Sequence, residues 1–304
     1  ELKSQDIYVI DITLVHSVTD NNMTENHYMI RVLRPVYDVE VKTYHLHDFS
    51  KIKADLIVRT PAVNPNRLPQ NAKITSVTNL FFENCPAPII GITGSKGKGT
   101  VSSFIAEILR AAKIKTHLVG NIGVPALDHL SEIQDSNAVV YELSSFQLWD
   151  AQKSQHIAIL NNLEVDHLDV HDGFEDYVAA KMNIAKNQTE NDFFIFNAEN
   201  PIVLKNVENL KGQLKAELQP FQDYNLAHIQ ENHFLWGNEV LFETDILKIP
   251  GEHNQKNACA AMIATFDFLH EKGFENEEIF VFWREGLSKF TGLPHRLKFV
   301  REFE

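Results

Sequence analysis

The sequence predicts an α/β protein built on a doubly wound, mostly parallel sheet, with a small Rossmann-like α/β unit ahead of it. Three observations carry that expectation. Short β-branched runs alternate with helical patterns along the chain, the order that parallel sheets with crossover helices impose. The runs are apolar throughout rather than alternating, as strands covered on both faces require. One of them passes through a glycine-rich turn directly into a helix, the layout of a P-loop-type sheet.

Taken in order, strands are expected at residues 7–11 and 54–60, then at 88–93, 117–120, 138–143, 157–161 and 193–197. Helical patterns lie at 98–112, 174–186, 253–272 and 277–289. Residues 227–249 read instead as a few short antiparallel strands, with a turn at Trp236-Gly237-Asn238. An Asn-Cys-Pro-Ala-Pro stretch at 84–88 interrupts a helical pattern just before a strongly apolar strand. Residues 1–84 are therefore expected to form one small unit and 85–300 a larger one, while 301–304 are too few to form anything more. No internal repeat or low-complexity segment is visible.

Composition sets outer bounds. A chain of 304 residues suits two domains or one large one. Its 44% hydrophobic and 23% charged content is ordinary for a soluble globular protein. With 28 Lys+Arg against 41 Asp+Glu, the formal charge is −13. That balance argues against a non-specific nucleic-acid binder, which needs cationic surface to displace counterions. A local basic pocket for one anionic ligand remains allowed. Cys85 and Cys259 lie outside any CxxC pair, so reduced thiols and a cytoplasmic location are expected. No apolar run approaches the ~18–20 residues of a membrane span. The opening Glu-Leu-Lys-Ser-Gln is neither a signal nor a transit peptide, and it lacks Met.

The apolar run ending at Thr93 leads into Gly94-Ser-Lys-Gly-Lys-Gly-Thr100 and then a helix. Glycines let backbone N–H groups converge on phosphate oxygens, and the helix dipole adds positive potential. Lys98, in the first turn, would reach the terminal phosphates. The general pattern G-x-x-x-x-G-K-[ST] is missed twice, with Ile92 at the first glycine and Gly99 at the hydroxyl position. A glycine-rich turn that holds no ligand is the competing reading.

Glu142 closes a strand at its C-terminal end, where parallel sheets bind ligands. It suits a hard cation such as magnesium, and equally a cap on the next helix. His167, flanked by Asp166 and Asp169, fits a metal ligand or a solvated loop, and taken alone the loop reading leads. His171 has less to recommend it. Lys181 lies on the following helix, where a single lysine is ordinarily surface charge.

Together these residues resemble the Mur ligase family, which builds the peptide stem of bacterial cell-wall precursors. Thr93–Thr100 fits the family's shortened phosphate loop T-G-[ST]-x-G-K-[ST]-T except at Gly99. The run Glu142-Leu-Ser-Ser-Phe-Gln-Leu148 is most similar to the branch that adds D-glutamate. Gly120-Asn-Ile-Gly123, Asp166-His-Leu-Asp169, Tyr177-x-x-x-Lys181, Gly251-Glu-His-Asn-Gln-Lys-Asn257 and Phe290-Thr-Gly-Leu-Pro-His-Arg296 match as well, in family order.

The resemblance implies an ATP-dependent amide ligase that joins D-glutamate to UDP-N-acetylmuramoyl-L-alanine through an acyl phosphate, acting as a cytoplasmic monomer in peptidoglycan synthesis and thereby in cell shape and division. It implies ATP and two magnesium ions as cofactors. Carried over by position, Gly94, Ser95, Lys96, Gly97, Lys98, Gly99 and Thr100 would hold the phosphates, and Asn254, Asn257 and Arg296 the rest of the nucleotide. Thr100 and Glu142 would bind the first magnesium and His167 the second. Lys181 would be carbamylated into a carboxylate-like metal ligand. Lys98, His167 and Lys181 would be catalytic, while Asn121, Ser144 and His167 would face the muramoyl-alanine substrate.

Three departures stand out. Gly99 replaces a family Ser or Thr, so Thr100 and water are left to complete the first magnesium site. The N-terminal unit lacks the family's opening glycine turn, and its Thr60-Pro61-Ala62 only loosely matches S-P-G. The chain stops at Glu304, where the family's third domain is expected, so this chain alone is expected to be inactive. Competing readings are a nucleotide-binding fragment without ligase activity and a ligase of the superfamily that adds another amino acid.

Overall fold

The computed structural model describes residues 7–15, 27–31, 56–61, 63–69, 71–121, 125–166 and 170–293. Ahead of the main body lies a four-stranded sheet of β1 (Ile7–Val15), β2 (His27–Arg31), β3 (Leu56–Arg59) and β4 (Lys73–Ser76), in the order β2-β1-β3-β4. β1 runs antiparallel to β2 and parallel to β3, and β3 runs parallel to β4. The Ser76 hydroxyl then caps α1 (Val77–Asn84) by accepting from Asn79 N at 3.1 Å.

The central sheet has six strands, all parallel: β5 (Ile89–Thr93), β6 (Thr116–Gly120), β7 (Ala138–Glu142), β8 (Ile157–Leu160), β9 (Phe193–Asn197) and β10 (Glu217–Phe221). Their order is β10-β9-β8-β5-β7-β6. The chain builds the β6–β7 flank first and then crosses β5 to build the other flank. This reversal beside β5 opens a crevice at the C-terminal ends of the strands.

The crossovers are α2 (Lys98–Ala111), α3 (Ala126–His129), α4 (Ser145–Leu148), α5 (Phe174–Lys186) and α6 (Pro201–Leu210). The three-stranded antiparallel sheet β11 (Ala227–Gln230), β12 (His233–Trp236) and β13 (Glu239–Glu243) follows, then α7 (Glu252–Glu271) and α8 (Asn276–Lys289). Gly237, at φ 55°, makes the β12–β13 turn expected from Trp236-Gly237-Asn238.

Two apolar layers explain why the strands read as unbroken apolar runs. Ile90, Ile92, Val140, Ile157, Ile159 and Ile195 pack toward α2, α7 and α8. Their neighbours Ile89, Val139, Tyr141, Ala158, Leu160 and Phe194 face the opposite layer, with α1, α5 and α6. Alternate residues thus point to opposite faces, and both faces are dry. α1 belongs to this second layer, where Phe81 and Phe82 meet the Tyr141 ring edge-on at 5.3 and 5.5 Å.

β10 is an edge strand containing Pro220. Glu217 N donates to Asp192 O beside β9 at 2.9 Å, so by the period of two the Gln219 and Phe221 amides turn inward. Leu218 and Pro220 face away, and Pro220 has no N–H to present.

Candidate functional site

At the C-terminal ends of β5, β7 and β8, polar residues close three apolar strands. Thr93 is fully buried, and its hydroxyl donates to Leu143 O at 2.8 Å, fastening the end of β5 to the segment after β7. Gly94 follows at φ 149° and Gly97 at φ 84°. Gly97 caps α2 without a side chain, and a Cβ there would lie 2.7 Å from Asn257 Oδ1 as well as against Asn161 Nδ2. Glycine is required at this point both for the left-handed backbone and for the close approach.

The first intrahelical bond of α2 runs from Val101 N to Gly97 O at 3.0 Å. The amides of Lys98, Gly99 and Thr100 therefore have no intrahelical acceptor, and they sit at the positive end of the helix. Such an N-terminus suits an anion.

Two lysines converge beside it. Lys98 Nζ donates to Gly94 O at 2.9 Å and Ser95 O at 3.1 Å. Lys181 Nζ donates to the same Gly94 O at 2.8 Å and to Thr93 Oγ1 at 3.4 Å. Lys181 is only 2% exposed, which overturns the surface reading of a lone helical lysine. Burial first, and the Lys98 charge second, pull its pKa from 10.5 down to about 7, against the opposing pull of Asp166 and Glu142. Tyr177, one turn earlier on α5, lies under the ammonium at 4.8 Å from the ring centroid. Its hydroxyl shares a 2.7 Å hydrogen bond with Ser95 Oγ.

The loop is tied down from the β8 side. Ser95 N donates to Asn162 O at 2.6 Å, and Glu164 N donates to Ser95 Oγ at 3.0 Å. Lys96 pairs with Glu164 at 2.6 Å out in solvent. Asn161 Nδ2 donates to Asn257 Oδ1 at 2.8 Å, joining the end of β8 to the second turn of α7. Asn254, one turn earlier, is buried and donates to Pro250 O at 2.6 Å.

Glu142 ends β7 and is buried. It does not cap the next helix: Ser144 does, in a capping box with Gln147 (Gln147 N to Ser144 Oγ, 3.3 Å). The Glu142 carboxylate instead accepts from Asn121 Nδ2 at 3.3 Å, and Asn121 N donates to Glu142 O at 3.0 Å.

The structure thus brings together Gly94–Lys98, Lys181, Asn161 and Asn257, and pairs Glu142 with Asn121. Thr100 lies in the first turn of α2. His167, Asp169 and Arg296 lie outside the described residues. Sequence reasoning gave Asn161 no role beyond closing the apolar run 157–161. Its signal was its place, a polar residue closing an apolar strand just as Thr93 and Glu142 do. His171 has a defined role as well: it is buried, bonded to Asp176 at 2.8 Å and Ser145 at 2.9 Å, and stacked on Phe146.

Residues 92–265 match the profile of the Mur ligase middle domain. A UDP-N-acetylmuramoylalanine–D-glutamate ligase of Symbiobacterium thermophilum is 37% identical over 261 residues, which is 81% of this chain and 55% of that protein. The ligase of the same name from Streptococcus suis is 35% identical over 257 residues, again 81% of this chain and 55% of the relative. The chain spans about half the length of the curated relatives it matches. Among solved structures, the UDP-N-acetylmuramate:L-alanyl-gamma-D-glutamyl-meso-diaminopimelate ligase from Neisseria meningitides superposes with a TM-score of 0.58 at 17% identity, covering 80% of each chain. At that identity the likeness is one of fold. With the phosphate-loop geometry, the length of the matching region and identities above 30% all agreeing, the chain belongs to the Mur ligase family.

Proposed function

We propose that this chain forms the ATP-binding part of an amide ligase that adds D-glutamate to UDP-N-acetylmuramoyl-L-alanine, in cytoplasmic synthesis of peptidoglycan precursors. The observation that carries the reading is the convergence of Lys98 and Lys181 on Gly94 O at the N-terminus of α2. The Lys98 ammonium, a second lysine buried beside it and a row of helix-end amides bring positive potential to one point, as an anionic ligand requires. The residues fit a nucleotide with magnesium. Lys98 and the loop amides suit the phosphates, and the buried Glu142 carboxylate supplies the oxygen donor a hard cation prefers. ATP and magnesium, when bound, supply the transferable phosphoryl group and neutralise its charge.

The chain's own residues then do three things. Lys98 stabilises charge on the phosphoryl group as the alanine carboxylate becomes an acyl phosphate. Asn161 and Asn257 hold Gly97 in its left-handed turn so that the loop amides stay aimed. Asn121, fixed by Glu142, faces the muramoyl-alanine end, where the amine of D-glutamate attacks the acyl phosphate. In this reading residues 85–300 form the ATP-binding domain, residues 1–84 the UDP-substrate side, and His167 and Arg296 complete the metal and nucleotide contacts.

The test uses the complete reading frame with UDP-N-acetylmuramoyl-L-alanine, ATP and Mg²⁺, following phosphate release and product mass. Release is expected only when D-glutamate is added, and Lys98→Met is expected to lower it at least ~100-fold, the scale of one lost charge-stabilising contact. Equal release with a different amino acid, or undiminished release in Lys98→Met, overturns the assignment.

Lys181 extends the proposal. A lysine held near pKa 7 carries a substantial share of free amine at neutral pH, and the free amine is what adds to carbon dioxide, losing a proton to become a carbamate. The carbamate reverses the sign of the side chain and offers oxygen donors to magnesium. Lys181→Ala is expected to be inactive and to regain part of its activity with added acetate or formate. Full activity without added carboxylate would sink the carbamate.

A further inference from the structure

On the far flank of the central sheet, away from the phosphate loop, the edge strand β6 and the turn after α3 bring two histidines and a glutamate together. One ligand atom from each of His117, His129 and Glu132 lies within 4.8 Å of the others. His117 is 8% exposed and sits on β6. Its Nε2 lies 3.0 Å from Asn137 Oδ1. That same oxygen accepts the Gln134 backbone N–H at 3.1 Å, so it is an oxygen and it can only accept. The imidazole proton therefore sits on Nε2, which leaves the lone pair on Nδ1. A histidine with one nitrogen anchored to an oxygen acceptor presents its other nitrogen in the arrangement that orients a metal-binding imidazole.

His129 ends α3, and its ring centroid lies 5.9 Å from that of His117. Its Nδ1 is buried and has no hydrogen-bond partner, with Glu132 Oε2 the nearby group at 3.5 Å. A buried nitrogen without a partner forgoes a hydrogen bond that water would have supplied. Glu132, whose side chain is 63% exposed, can swing inward at little energetic penalty and leaves a solvent-facing position for water.

The geometry points to a zinc site formed by His117, His129 and Glu132, with water as the fourth ligand. Two imidazole nitrogens and one carboxylate match the three-ligand tetrahedral set that zinc favours, with bonds of about 2.0–2.1 Å. Such bonds place ligand atoms ~3.3 Å apart, so closing the present arrangement, with its ligand atoms within 4.8 Å of one another, takes movements of up to roughly 1.5 Å shared among the three side chains. Magnesium, which wants six oxygens, is disfavoured by the two nitrogens. The ion would fasten α3 to β6 and so brace both ends of the segment that carries Asn121, whose amide holds Glu142. The site is thus a clip on the substrate side of the sheet, chemically distinct from the phosphate loop.

The test uses untagged protein stripped with chelator, then given Zn²⁺ or Mg²⁺. After gel filtration, zinc content by elemental analysis is expected to be one ion per chain higher in the native protein than in His129→Ala. The native protein's melting temperature should climb with free zinc and ignore magnesium. In His129→Ala and Glu132→Gln, zinc affinity should fall at least ~10-fold, and Glu132→Gln, a change confined to an exposed side chain, should leave the metal-free melting temperature in place. Co²⁺ should give the visible bands of a tetrahedral site in the native protein only. Equal zinc retention and equal thermal response in the native protein and His129→Ala, or an equal response to magnesium, overturns the site.

Discussion

Lys181 shows what burial does to a single side chain. Its folded pKa of about 7 lies below the unfolded value of 10.5. Between those two values the unfolded chain holds the proton and the folded one does not. Stability from this group therefore rises with pH from about 7 to 10.5 and is smallest below 7. In carbonate-free buffer the native protein's melting temperature should gain on that of Lys181→Met as pH climbs from neutral toward 9.5; a constant difference would mean the amine is not desolvated. The sequence could not have announced this. Lys181 occupies an ordinary helical position, and only the convergence of β5 and α5 takes it out of water. Lys98 was legible because the hydrogen bonds that hold it, to Gly94 O and Ser95 O, lie within its own loop. Asn161 was not, because its partner Asn257 stands 96 residues away.

Among the elements, α2 and α8 approach closely. A Cβ on Gly286 would sit 2.5 Å from the backbone N and Cα of Ile108. Backbone atoms cannot swing aside, so Gly286→Ala should push α8 off α2 and cost about 1–3 kcal/mol, read from urea denaturation as a lower midpoint at unchanged m-value. A substitution with no effect would show that the helices separate freely. The parallel strands and long helices of the central sheet were legible because hydrophobic periodicity sets them directly. What escaped notice was short or unpatterned. β4 is four residues long, and β10 contains a proline that argues against a strand until its edge position is known. α6 was missed although Asn200 and Pro201 mark its start, with the Asn200 side chain accepting from Ile202 N and Val203 N.

At the scale of the molecule, Arg59 joins the small sheet to the large one. It ends β3 fully buried, and all five of its N–H donors have acceptors. Two meet the Asp150 carboxylate, and the others meet Thr60 O at 3.3 Å, Val63 O at 3.2 Å and Phe146 O at 3.1 Å. Asn79 reinforces the junction by donating to Asp150 O at 2.9 Å and accepting from Gln152 N at 3.0 Å. Asp150→Ala leaves a guanidinium buried without its counter-charge and should cost about 3 kcal/mol or more. Removing the charge as well, in Arg59→Met with Asp150→Ala, should return part of that loss. A double variant less stable than Asp150→Ala by the full cost of a second deletion would show that the arginine acts through its backbone acceptors instead. Nothing in Leu-Ile-Val-Arg names a carboxylate 91 residues on.

Pro220 has a consequence for how copies of this protein meet. A sheet that ends in a row of outward amides is a template on which another chain can add its own strand, and then another. On this flank the template is short, five residues, and one of its two outward donors is missing. A visiting strand would find a carbonyl with no matching N–H beside it, and growth would stall at the first layer. The proline thus acts as a terminator on the β10 side of the six-stranded sheet when many copies crowd together.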